Sequence, residues 1–425
     1  MRKTTIILVL SIFILTFSIN ALAADEISFW TFGSETPELK SVMDQFRQEF
    51  KEETGITVDW RMIGWGDYHS NNLMVISSHE GPDVTQIGTT TVAQQAYAGV
   101  FDNVTTLFNE LGGEEVFFDA LLTTTTPDGM EGRYAIPWFA DPRALIYRKD
   151  LLEKHGMGIP ETWEELVEVS KTLQEEENMK YPASLPGQEL AHTIYQTVEQ
   201  AGGSITTYED DKFKSNLTSP KVKSAVKFIT DHVTEYEIAA PASAEYDKAT
   251  LRAKLANGEL AFMYDSPQIY QYLEQNAPDL VDKIAVGPAP AGPAGKHSVF
   301  CGGSQLAIYN FTDKREEAVQ WIKYLLRPEN VALWAKAYGN VPGLISATKM
   351  QGFDEKPLAD FIAVARDHGI HPPSNPGGTL AKVEDLINNQ LLGSYLEGNY
   401  KETMIDKTLK EGQNMHQKVI DQFEF

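Results

Sequence analysis

One cysteine stands among 425 residues, so Cys301 has no partner for an internal disulfide. Stability must therefore come from buried apolar surface rather than from cross-links. Beside two glycines, Cys301 itself reads as a buried, inert thiol rather than a nucleophile. Basic charge is scarce as well: 36 lysines and arginines against 60 acids give a formal net charge of −24. Such a surface disfavours nucleic acid and anionic membranes, and it is silent about any small ligand. Reaction motifs are missing too: no G-x-S-x-G elbow, no H-E-x-x-H, no P-loop, and no dinucleotide glycine fingerprint after a strand. His368 and His371 sit three apart, but Pro372-Pro373 follows and breaks the helix a metal pair would need. No metal, cofactor or tandem repeat is expected. The nearest approach to low complexity is Val286–Gly295, VGPAPAGPAG, read as a stiff surface loop between two strands.

What is present begins with an export leader. Met1-Arg2-Lys3 is a short basic start, and Ile6 to Ile19 is apolar except for Ser11, Thr16 and Ser18. Ala21-Leu22-Ala23 fits the small-x-small cleavage rule, which assigns residues 1–23 to a signal peptide. The run is short for a membrane span, no charged stop-transfer cluster follows, and no cysteine stands nearby for lipid attachment. Removal takes away Arg2 and Lys3 and no acid, so −24 becomes −26. The expected location is a periplasm-like space.

The remaining chain is too long for one core, so two lobes are expected. Strand and helix signals alternate. Ile27–Trp30 reads as a strand, and Thr36-Pro37 caps a helix that buries Leu39, Val42, Met43, Phe46 and Phe50 until Gly55 stops it. Ile56–Trp60, a helix over Tyr68–Ser78 and a strand over Asp83–Ile87 follow. This order implies a parallel sheet with covered faces, whose ligands bind beyond the carboxyl ends of the strands. Thr162 and Glu165 form a capping box for a helix with Trp163, Leu166, Val167 and Leu173 on its core face. Ser219-Pro220 opens another helix, and Pro328 restarts the chain after a break at Leu326-Arg327. The C-terminal region is helical, with one stripe of Val383, Leu386, Ile387 and Leu391 and a last helix over about Lys401–Gln422.

One stretch concentrates chemistry: Gly132–Leu152, GRYAIPWFADPRALIYRKDLL, sets Trp138 and Phe139 beside Asp141 and Arg143. Flat aromatic surface suits the C–H faces of a ring compound, and charged groups suit its hydroxyls. Trp65, flanked by Gly64 and Gly66 and followed by Asp67, reads as an exposed stacking residue. Thr89 and Thr90 follow the Asp83–Ile87 strand. Gly302 and Gly303 would let backbone N–H groups approach a ligand closely. Gln188 and His192 lie in a polar segment that reaches toward the same place.

Four segments in order carry a family resemblance: ISFWTFGSE with EETGITV; GPDVTQIGTT with QQAYAGVFDNVT; GRYAIPWFADPRALIYRKDLLEKHGMGIPETWEEL; and NGELAFMYDSPQ with CGGSQLAIY and AVQWIKYLLRPENVALWAKAYGNVP. Over nearly the whole mature chain they resemble extracellular solute-binding proteins of carbohydrate ABC importers, the maltose- and trehalose-binding type. The resemblance implies an α/β, two-lobed periplasmic-binding-protein fold, each lobe a mostly parallel sheet flanked by helices. It also implies three hinge crossings, near Phe139–Arg143, Asp282–Ile284 and Leu326–Pro328. The lobes would then comprise 24–140 with 284–326, and 141–283 with 327–425.

By the same resemblance, Asp141 accepts sugar hydroxyl protons, and Arg143 binds a hydroxyl, binds a ligand carboxylate, or only pairs with Asp141. Phe32, Gly33, Ser34 and Glu35 match a ligand-contacting loop, and Asp265, Ser266 and Gln268 match the loop of the other lobe. There Gln268 stands where relatives place a stacking tryptophan, and Asn375–Thr379 lacks another. Fewer aromatic platforms imply a mono- or disaccharide, or a sugar derivative. The implied role is capture of a sugar and delivery to membrane permease subunits, by a monomer, without turnover. Two alternatives stay open: a secreted carbohydrate-active enzyme, needing two carboxylates about 5–5.5 or 6.5–9.5 Å apart, and the same receptor with an acidic cargo such as a glycosyl-glycerate or glycerol phosphate.

Overall fold

The computed structural model describes residues 26–422 apart from 186, 211, 372–373 and 376–379. The expected leader and its cleavage point lie outside the described residues, as do four of the five residues of Asn375–Thr379. The strands are β1 (Glu26–Phe32), β2 (Thr57–Ile63), β3 (Val84–Gly88), β4 (Ile136–Pro142), β5 (Ala144–Arg148), β6 (Thr206–Glu209), β7 (Lys212–Ser215), β8 (Phe262–Asp265), β9 (Ile284–Gly287), β10 (Val299–Ile308), β11 (Val341–Pro342) and β12 (Gly369–Ile370). They form one large sheet in the order β11-β4-β10-β3-β1-β2, with β12 beside β10. A second sheet runs β8-β5-β9, and β6 and β7 make a hairpin.

The first elements follow their residues closely. Thr36 Oγ1 accepts from Leu39 N at 3.2 Å, Pro37 opens the helix Pro37–Thr54, and Gly55 ends it at φ +80°. Only glycine takes that left-handed turn without cost. The stripe Leu39, Val42, Met43, Phe46 and Phe50 is buried against the large sheet together with Phe29, Trp138 and Trp321.

The two-lobed α/β class holds, but strand pairing is less parallel than expected. β1 runs parallel to β2 and β3. β10 is antiparallel to β3 and β4, and the second sheet is antiparallel throughout. The cause is the route of the chain. It leaves the large sheet along β4, visits the second sheet, and returns along β10 beside the strand by which it left.

That route also moves two of the crossings. β4 ends at Pro142 and β5 begins at Ala144, so Arg143 is the whole of the first crossing. β9 still pairs with β5, which puts the return within residues 288–298 rather than at Asp282–Ile284. After the break at Leu326-Arg327, the helix Pro328–Tyr338 stays on the core of the large sheet, and β11 pairs with β4. The proline there separates two helices of one lobe. Ala140, Ala144, Ile146, Ile284, Cys301 and Phe361 share a core at the junction of the two sheets.

The second lobe is held by the helices Leu190–Gln200, Pro220–Thr234 and Met404–Ile420. Trp163 is core, as its helical position implied: its ring stacks on Phe228 at 4.0 Å and its indole N–H donates to Gln200 at 2.8 Å. The segment Val286–Gly295 is only partly a surface loop. Ala289 and Ala291 are buried, and the Ala291 carbonyl accepts from Trp163 N at 3.1 Å.

Candidate functional site

A cavity of about 450 Å³ opens between the two sheets, a size usual for small-molecule sites. Its floor is made by β4, the crossing residue and β10. Side chains of a strand alternate between faces. Asp141 and Arg143 therefore turn together toward the cavity, with Phe139 on the same face but buried at the core's edge, while Trp138 and Ala140 turn into the cores. Opposite them, Gly302 pairs in register with Asp141 and Gly303 with Ala140. Gly303 adopts φ +135°, and a Cβ there would lie 2.2 Å from the Phe139 carbonyl, so the floor demands glycine at this position.

The Asp141 carboxylate grips Arg143 through two bonds, Nη2–Oδ2 at 2.9 Å and Nη1–Oδ1 at 3.2 Å. Arg143 Nη2 also lies 3.7 Å from Glu189 Oε2, which Lys248 Nζ approaches at 3.1 Å. Burial works against the Arg143 charge, but Asp141 and Glu189 outweigh it and raise the pKa. Burial likewise opposes ionisation of Glu189, yet Arg143 and Lys248 hold its carboxyl well below the usual range. Arg143 Nε is buried with no hydrogen-bond partner among the described residues. On the wall, His192 stacks on Phe300 at 4.3 Å, and Tyr195 lies nearly parallel to the same ring at 5.8 Å. Burial lowers the His192 pKa more than Glu189 raises it, which disfavours the protonated imidazole.

Trp65 stands at the mouth with 45% of its surface exposed. Its indole N–H donates to the Tyr338 hydroxyl at 3.1 Å, and that hydroxyl donates to the Phe32 carbonyl at 2.8 Å. Beneath it, Tyr68 presents its ring at 5.0 Å, and its hydroxyl accepts from Gly88 N at 2.8 Å. From the second lobe, Gln268 Nε2 reaches the Tyr338 carbonyl at 3.1 Å. Glu384, on the helix Ala381–Leu386, accepts from Ala191 N at 2.7 Å.

The structure gathers Trp65, Thr89, Thr90, Asp141, Arg143, Gln188, His192, Gln268, Gly302 and Gly303 around this cavity. It sets seven other expected residues apart. Trp138 is fully buried and stacks on Trp334 at 4.9 Å, because its strand position faces the core. Phe32 is buried edge-on to Tyr68 at 4.7 Å, and Gly33 packs against the Tyr338 hydroxyl. Both thus support the mouth from behind. Glu35 and Asp67 are exposed outside the cavity. Asp265 is fully buried and holds Arg252 through bonds of 2.7 and 2.8 Å, which uses its carboxylate internally. Ser266 is buried beside it.

Sequence reasoning did not find Glu189, Lys248, Tyr195, Phe300, Tyr338, Asn340 or Glu384. Most come from helices and loops where a polar residue at the cavity looks like any other surface residue. Phe300 had a signal, since it precedes the glycine pair and shares a strand face with Gly302. Cys301 is buried at the lobe junction, and burial pushes its thiol up to about 12, consistent with an inert group. Among the described residues no cluster of three metal-ligating side chains occurs, and no helix is long and apolar enough to cross a membrane.

Comparison with known proteins agrees with this architecture. The diacetylchitobiose binding protein DasA of Streptomyces coelicolor is 26% identical over 330 residues, covering 76% of this chain and 74% of that one. The sn-glycerol-3-phosphate-binding periplasmic protein UgpB of Yersinia enterocolitica is 24% identical over 447 residues, covering 97% and 96%. Maltose-bound MalE3 of T. maritima superposes with a TM-score of 0.75 at 22% identity, covering 92% of this chain and 99% of that one. Residues 33–332 match the family model for bacterial extracellular solute-binding proteins, and the chain belongs to that family.

Proposed function

We propose that this chain is the substrate-binding component of an ABC importer that captures a sugar in the cleft between its lobes. It hands the sugar, unaltered, to membrane permease subunits. It works as a monomer in the periplasm after loss of the leader 1–23. The observation that carries this reading is the Asp141–Arg143 pair on the cavity floor below the half-exposed Trp65. Charged groups serve ring hydroxyls, at about 1.5–3 kcal/mol per bond, and the indole serves an apolar sugar face. The cavity volume and the single exposed tryptophan favour a mono- or disaccharide or a derivative of one.

The acidic-cargo alternative needs a cation free to receive it. Both cleft cations already face a carboxylate, Arg143 that of Asp141 and Lys248 that of Glu189, which offsets their charge before any anion arrives. The relatives named above are binding proteins, which supports capture without turnover over a glycosidase. A calorimetric screen of mono- and disaccharides, with mass spectrometry of the recovered sugar, tests the reading. At least one sugar is expected to bind far tighter than millimolar, about −4 kcal/mol, and to be recovered intact. Asp141→Asn is expected to weaken that sugar by about 1.5–3 kcal/mol. Failure of every sugar at millimolar concentration, or recovery of a cleaved one, would contradict it.

A further inference from the structure

We propose that the cleft selects a sugar carrying a protonated amine, and that Glu384 is the carboxylate that receives it. This rests on the sugar-receptor reading above and narrows its substrate class. Three carboxylates and two cations line the cavity. Asp141 is occupied by Arg143, and Glu189 by Lys248. Glu384 has no basic partner among the described residues. One of its oxygens accepts from Ala191 N at 2.7 Å, and the other has no donor among the described residues. Burial above all, and then the neighbouring acids Asp385 and Glu189, push its carboxyl up to about 7. The two cavity histidines do not help, since burial lowers the pKa of both His69 and His192.

The site is therefore left with a partly buried carboxylate that faces no basic side chain among the described residues; the N-terminus of the helix Leu190–Gln200 offers it a partial charge. Such a group is costly when ionised without a partner. A guest ammonium supplies the missing charge and keeps Glu384 ionised; a hydroxyl supplies only a hydrogen bond, and an anion meets repulsion. Capping the helix Leu190–Gln200 does not by itself require an acid, because an amide oxygen accepts from Ala191 N equally well. The helix carrying Glu384 is fixed in place, with Val383 buried in the lobe core and Ile387, just past its end, buried there too.

The test is calorimetry on the full mature chain at pH 7 with matched pairs: glucosamine against glucose, and the deacetylated chitosan disaccharide against cellobiose and diacetylchitobiose. The amine-bearing member of a pair is expected to bind at least about tenfold tighter, a charge-assisted bond being roughly twice a neutral one in strength. Glu384→Gln, checked for folding by its melting curve, is expected to erase that preference. Equal or tighter binding of the neutral or N-acetylated member by the unmodified protein overturns the proposal, as does a preference that survives in a folded Glu384→Gln. In either case tight binding of a neutral sugar leaves the receptor reading standing, whereas silence from every sugar overturns both. Should Glu384→Gln not fold, the matched pairs on the unmodified protein decide alone.

Discussion

Trp65 and Trp138 carry the same side chain and opposite duties. Trp138 is enclosed between Phe29 and Trp334, and Trp65 stands half in water at the cavity mouth. Trp138→Ala is expected to cost about 3–5 kcal/mol of folding stability by leaving a cavity in the core. Trp65→Ala is expected to leave stability nearly unchanged and weaken sugar binding by about 0.5–1.5 kcal/mol. Urea unfolding and calorimetry on the two variants separate these effects; a stable Trp138→Ala protein with lost binding would reverse the assignment. Local sequence already distinguished Trp65, through the glycines on either side. It also held the answer for Trp138, because period-two alternation along β4 puts Phe139, Asp141 and Arg143 on one face and Trp138 on the other. Proximity to Asp141 masked that alternation. Asp265 was not legible at all: only the fold reveals that Arg252, thirteen positions earlier, consumes its carboxylate.

At the scale of elements, the C-terminal helix Met404–Ile420 is tied to the hairpin by His416, whose Nδ1 lies 2.9 Å from Ser215 Oγ in a buried setting. Burial drops its pKa from 6.5 to about 4. Between those values the unfolded chain binds a proton that the folded chain does not, so stability from this group is full above pH 6.5 and lost as pH falls toward 4. The stability difference between the natural protein and His416→Asn is expected to shrink by about 1–3 kcal/mol from pH 7 to pH 4. Denaturation at several pH values checks this, and a difference independent of pH would contradict it. Elements of this kind were well marked by caps and apolar stripes. Thr36, Thr162 and Ser219 all accept the backbone bonds their positions implied. Strand direction was less legible, because β10 takes its orientation from a chain route that no local pattern encodes.

For the whole molecule, the sheet switch at Arg143 joins mechanics to chemistry. The residue that forms the first crossing between lobes also binds the carboxylate on the cavity floor. On the proposed function, a ligand held by Asp141 and Arg143 would sit at this crossing, where small changes in lobe angle would alter its enclosure. The break at Leu326-Arg327 looked like a further pivot in the sequence; the cores on either side of it show one lobe continuing through it. The most direct test of the account is small-angle scattering of the protein titrated with its tightest sugar, followed by mass spectrometry of that sugar after release. The account predicts a smaller radius of gyration on saturation and a sugar recovered intact. An identical scattering profile at saturation, or a sugar recovered in pieces, would contradict it.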